Sequence, residues 1–166
     1  MEKSLQITMK PHWDEADTVR EKSHDFLITN GFSQDIAYAL SMTTCELFEN
    51  AIKYGDFRNN DTISVFVEVT KDEITVEVKN PIIEKSKHLL QLDNTIQWIR
   101  GYQNPFQAFV ERLKEVSEKK LKEGESGLGL VRIAYEGQAI LDFYIDEHNV
   151  LAVSAVYQKE RIFEAS

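Results

Sequence analysis

Glu46, Asn50 and Lys53 are the residues of this chain best placed to do chemistry together. At about 100° per residue they fall within roughly 60° of one another on a helical wheel. A carboxylate, an amide and an amine then share one stripe. An amide oxygen is a hard ligand suited to Mg²⁺, which keeps most of its waters. A carboxylate one turn earlier can accept a proton or orient a nucleophile, and an amine near the next turn can reach a phosphate. Gly127-Leu128-Gly129-Leu130 adds a second element. Glycines ahead of a helix start let backbone N–H groups approach an anion where the helix dipole favours it. The two segments together suit a magnesium nucleotide. The structural alternatives are an amphipathic helix that exposes Glu, Asn and Lys, and a plain glycine-rich helix start.

These groups need a frame, and the hydrophobic pattern supplies one. Leu5 to Met9 alternates as a half-buried strand and stops at Pro11. Asp14 to Asn30 has helical spacing, with Ala16, Val19, Phe26 and Leu27 on the apolar side and Asn30-Gly31 as its stop. Ser33 suits the N-cap of a second helix that reaches Tyr54 and stops at Gly55. Its apolar side holds Ile36, Leu40, Leu47, Phe48, Ala51 and Ile52, with Cys45 beside them. Thr62 to Thr70 and Glu73 to Lys79 alternate on either side of Lys71-Asp72, a hairpin that Asn80-Pro81 closes. Helical spacing returns at Leu89, Leu92, Ile96 and Ile99, breaks at 101–104, and resumes from Pro105 with Phe106, Phe109, Val110, Leu113 and Val116 on one side. Leu128 to Tyr135 reads as a short helix. Ala139 to Ile145 and Val150 to Tyr157 read as a final strand pair turning at 146–149. Only the last few residues read as disordered. The order predicts a two-layer α+β sandwich, a mostly antiparallel sheet covered on one face by helices.

Composition narrows the function. The 166 residues fit one domain, and 42% hydrophobic with 28% charged is an ordinary globular balance. A net charge of -9 argues against nucleic-acid binding, which needs a basic surface. The single cysteine, Cys45, excludes a disulfide framework and reads as a small core residue. No apolar run approaches the roughly 20 residues of a membrane span, and the first residues lack the apolar run of a signal peptide. A cytoplasmic protein is expected. His12, His24, His88 and His148 are scattered, with no metal-ligand spacing.

In its order of elements, and in the segments Glu46–Gly55 and Gly124–Leu130, the chain resembles the ATP-binding domain of the GHKL superfamily. Bacterial histidine kinases, GyrB, Hsp90 and MutL share that domain. Within it the chain is most similar to the small anti-sigma-factor serine/threonine kinases of partner-switching systems. Glu46 and Asn50 match the family's Glu-x-x-x-Asn helix motif. The resemblance implies a Bergerat-type ATP-binding fold with ATP and Mg²⁺ as cofactors. Asn50 would be the metal ligand, and Glu46 the catalytic residue that positions or activates the attacking group. Lys53, Gly127 and Gly129 would contact the phosphates. It further implies a signalling regulator acting on a protein partner, either an antagonist-like or a sigma-factor-like protein, and a homodimer.

One segment departs from the family. After the second central strand the family has Asp-x-Gly-x-Gly, where the Asp reads the adenine amino group. Here the segment is Val78-Lys79-Asn80-Pro81-Ile82-Ile83. Asn80 stands in the place of the Asp and can still accept through its carbonyl oxygen. Both glycines are gone, and Pro81, Ile82 and Ile83 add bulk and fix backbone angles. In place of a flexible ATP lid stands a helical insert at about 82–125, with Trp98, Tyr102, Phe106 and Phe109 in or beside it. These aromatics suit either core packing or a partner-binding face. Two functions therefore compete: a regulator that binds Mg-ATP and acts on a partner, and a relative that has lost ATP and serves as a protein-interaction module.

Overall fold

A computed structural model describes residues 3–59, 61–83, 87–101, 110, 111, 114 and 139–164. The alternating segments form one five-stranded sheet. β1 is Lys3–Met9, β2 Ile63–Val69, β3 Glu73–Pro81, β4 Ile140–Ile145 and β5 Val150–Gln158. Their order is β1-β2-β3-β5-β4, and each neighbouring pair is antiparallel. Alternation sets which face each side chain takes. Ile63, Val65, Val67 and Val69 of β2 and Ile74, Val76 and Val78 of β3 are buried against the helices. The intervening Ser64, Phe66, Glu68, Thr75, Glu77 and Lys79 take the other face.

Among the described residues, three helices cover the buried face. After a 3-10 turn at Trp13–Glu15, α1 runs Ala16–Thr29 and ends at Gly31, whose φ of +87° is the left-handed conformation glycine adopts without strain. α2 runs Gln34–Tyr54. Ser33 Oγ accepts from Ile36 N at 3.3 Å, the expected N-cap, and Asp35 and Lys53 complement the helix dipole at its two ends. α3 runs Lys87–Arg100 and buries Ile96 and Ile99 in the same core cluster as the sheet. The two-layer α+β sandwich is the observed fold.

The buried hydroxyls of the helices find partners. Thr44 Oγ1 donates to Leu40 O at 2.8 Å and Ser23 Oγ to Val19 O at 2.6 Å, so these buried hydroxyls are satisfied within their own helices. Thr43 Oγ1 and Tyr157 Oη share a hydrogen bond of 2.6 Å that ties the middle of α2 to β5.

Two expectations need correction. β3 does not stop before proline. It continues through Pro81, paired with Val150 of β5, because β2 begins only at Ile63 and nothing on that side needs the missing N–H. Residues 159–164 also form structure: α4 is Lys159–Glu164, joined to the β2–β3 turn by Lys159 N donating to Asp72 O at 2.9 Å. The second insert helix from Pro105, the short helix at Leu128 to Tyr135, and Tyr102, Phe106 and Phe109 lie outside the described residues, apart from isolated helical positions at Val110, Glu111 and Lys114.

Candidate functional site

The second half of α2 is buried almost all round. Thr43, Thr44, Cys45, Leu47, Phe48 and Ala51 are enclosed, which leaves Glu46, Glu49, Asn50 and Lys53 as the polar stripe. Glu46, Glu49 and Asn50 are half-buried, and Lys53 is exposed. Glu46 and Lys53 each already make an interaction within the protein. Sequence reasoning singled out three of these four residues and missed Glu49. Its signal was present, since Glu49 stands three residues after Glu46 on the same side of the helix.

Glu49 also shapes the environment of Cys45. Cys45 Sγ lies 3.7 Å from Glu49 Oε1 and 3.8 Å from Ala16 O. Burial, and then the neighbouring Glu49 charge, push the thiol up to about 12. A thiol so held is not a nucleophile, in keeping with its reading as a core residue.

α2 ends at Gly55 in an extended conformation (φ -76°), so the glycine is not there for a left-handed cap. Its requirement is space. A Cβ at Gly55 would lie 2.4 Å from the Phe57 ring and 2.7 Å from Ala51 O. The next residue crosses to the sheet: Asp56 N donates to Pro81 O at 2.8 Å. Asp56 also takes two bonds from the Arg58 side chain, Nε to Oδ1 at 2.8 Å and Nη2 to Oδ2 at 2.7 Å. That fork holds the Asp56 carboxyl below the usual range.

The Asp56–Pro81 bond brings the end of α2 and the exit of β3 to the same end of the sheet. Asn80 continues the series Ile74, Val76, Val78 and so turns to the helix side, where it is 2% exposed. Its Nδ2 donates to Pro81 O at 3.0 Å. Ile82 N then donates to Asn149 O at 2.9 Å, in the turn between β4 and β5. The exit of β3 is thus fastened on both sides. Where a glycine turn would let a base slide against the backbone, this chain has a stapled strand end, with buried Ile82 and exposed Ile83 beyond it.

The two halves of the expected nucleotide site therefore fit unequally. Along α2 the donor set suits hydrated Mg²⁺ and phosphate: an amide at Asn50, carboxylates at Glu46 and Glu49, an amine at Lys53. At the strand exit one of the two Asn80 amide N–H groups is taken by Pro81 O, and the side chain that would read a base is enclosed. Gly127 and Gly129 lie outside the described residues. Among the described residues no cluster of three His, Cys, Asp or Glu side chains could hold a metal by itself. Among them, too, no helix is long and apolar enough to cross a membrane.

No protein-family model and no curated protein sequence matches the chain. Among solved structures, it matches a chain of the crystal structure of the SiaB–SiaC complex from Pseudomonas aeruginosa, with a TM-score of 0.66 and 16% identity. The match covers 92% of this chain and 88% of that one. At that identity the likeness is one of fold.

Proposed function

We propose that this protein is a signalling regulator of partner-switching type, built on the histidine-kinase-like ATPase fold, which binds Mg-ATP at the end of α2 and acts on a protein partner. The observation that carries the reading is the stripe of half-buried Glu46, Glu49 and Asn50 with exposed Lys53, held at the same end of the sheet as buried Asn80 by the Asp56–Pro81 bond. In this reading Asn50 holds Mg²⁺, Lys53 meets a phosphate and Glu46 positions the attacking hydroxyl of a partner serine or threonine. Gly127 and Gly129 close the phosphate side, and Asn80 accepts from the adenine amino group. Bound Mg²⁺ would neutralise charge on the phosphates, with most of its remaining ligands water and phosphate oxygen. That a chain of similar fold crystallised in a two-protein complex supports the protein-partner half of the reading.

The test is calorimetric titration with ATP and ADP, with and without Mg²⁺. Saturable, Mg²⁺-dependent heat is the expected outcome. No heat up to millimolar nucleotide would instead favour a second reading, a protein-interaction module that has lost its nucleotide. The fastened β3 exit is the specific observation behind that alternative, because it encloses the one group placed to read a base.

A further inference from the structure

The two edges of the sheet differ in what they expose. On the face away from the helices, β1 carries Ser4, Gln6 and Thr8, whereas β4 carries Ile140, Asp142 and Tyr144. Ile140 and Tyr144 are each 52% exposed, and Ile145 at the end of the strand is 41% exposed. Three of the seven large apolar side chains exposed among the described residues thus sit on one six-residue edge strand. Natural edges are ordinarily blunted against further pairing.

The backbone of β4 is capped in an unusual way. Asp146 N donates to Val150 O, which sets the alternation along the hairpin. Tyr144 with Ala152 and Asp142 with Ser154 are then the hydrogen-bonded pairs, and Leu141, Phe143 and Ile145 turn their N–H and C=O groups outward. Side chains meet two of these groups. Arg100, the last residue of α3, donates from Nη2 to Leu141 O at 2.7 Å. Phe143 N donates to Asp142 Oδ1 at 2.8 Å. The same carboxylate oxygen pairs with Arg100 Nη2 at 3.2 Å.

We propose that the β4 edge docks an extended segment of a partner protein that carries a lysine or arginine between two apolar residues, and that Arg100 holds that place in cis. A strand added beside β4 would replace the Arg100 and Asp142 caps with main-chain hydrogen bonds at Leu141, Phe143 and Ile145, and its alternate side chains would provide specificity. On the open face its residues would lie opposite Ile140, Asp142 and Tyr144, at roughly 5 Å between Cβ atoms. Two of these positions want apolar neighbours. The third is a carboxylate that loses its cation when Arg100 is displaced, so charge complementarity selects a basic residue. Tyr144 is already braced, with the Lys79 amine 5.9 Å from its ring centroid and Glu77 beside that amine.

This inference rests on the partner-binding half of the proposed function and needs no nucleotide, so its test is run without any. The probe is a labelled peptide in which valine, lysine and valine alternate with threonine. Binding is read by fluorescence anisotropy and located by hydrogen exchange. Arg100→Gln should tighten binding roughly threefold to tenfold over wild type, as expected for removing one competing charged contact. Slowed exchange should appear at Leu141, Phe143 and Ile145. Asp142→Asn should erase the preference for this peptide over one with glutamate in place of lysine. Protection on β1 instead of β4, equal affinity for the two peptides in wild type, or no binding to either Arg100→Gln or Asp142→Asn would overturn the proposal. Concentration-dependent dimerisation of Arg100→Gln with no peptide bound would overturn it too, by making a second copy the occupant.

Discussion

α2 has two sides that obey different rules. Its buried side carries Leu40, Leu47, Phe48 and Ala51, each 5% exposed or less and packed on strands that are buried in turn. Its other side carries Glu46, Glu49, Asn50 and Lys53, which are graded from half-buried to exposed. The first side holds the helix against the sheet by removing apolar area from water, worth about 25 cal/mol per Å². One helix therefore separates the residues that hold the fold from those available for chemistry, and substitutions on its two sides should have separable effects.

The largest effects should fall on the buried side and its margin. Phe48 has no exposed surface, so Phe48→Ala should destabilise by about 3–5 kcal/mol through lost burial and an unfilled cavity. For a chain of this length that is a fall in Tm of roughly 10 °C, measured by calorimetry. A fall of a degree or two would mean that Phe48 does not anchor α2 in the core. Cys45, at the boundary between the sides, should react with a thiol reagent at pH 8 at least about a hundredfold more slowly when folded than in denaturant, because its thiolate is suppressed by burial and by Glu49. A fast native reaction would show that the boundary is open to solvent.

Gly55→Ala comes next. The added methyl must displace the Phe57 ring or the end of α2, since one ring atom lies 2.4 Å from the Cβ position and a backbone oxygen 2.7 Å. The expected loss is about 1–3 kcal/mol, read as a lower denaturant midpoint at unchanged slope. Because Gly55 adjoins Asp56 and its bond to Pro81, the substitution should also perturb the polar side, through the fold alone. Tyr157→Phe should be milder, about 1 kcal/mol, because it removes the hydrogen bond to Thr43 while Thr43 can still donate to Ala39 O.

The same contrast explains what could be read in the sequence. Apolar periodicity is a direct record of burial, so the strands, α1, α2 and the Leu92–Ile99 side of α3 were legible from spacing. The stop at Gly31 and the cap at Ser33 were legible from local chemistry. Long-range placement was not. Nothing in Asn80-Pro81 says that two backbone bonds, from Asp56 to Pro81 and from Ile82 to Asn149, fasten the strand where it ends at the proline, or that the Asn80 amide is enclosed there. Lys159–Glu164 is too short and too charged to reveal α4 by periodicity. Its evident tie is to Asp72, far away in the chain. Glu49 was overlooked because a motif of fixed spacing directs attention to its end residues, Glu46 and Asn50, and passes over the neighbour that shares their side.

Asn50→Ala should have the smallest effect on stability and the largest on the proposed chemistry, so it tests the separation most directly. Asn50 is half-buried and absent from the apolar cluster, and alanine is the better helix former, so the folding free energy should stay within about 0.5 kcal/mol of wild type. If the amide oxygen holds Mg²⁺, the same substitution should abolish the Mg²⁺-dependent part of ATP affinity and leave any metal-free binding unchanged. Glu46→Gln, one turn earlier, should bind as wild type does and lose phosphoryl transfer to the partner, since an amide can orient a hydroxyl but cannot take its proton. Equal ATP affinity in wild type and Asn50→Ala would refute the metal-ligand role. A large loss of stability in Asn50→Ala would refute the separation itself, because the polar stripe would then be part of what holds α2 in place.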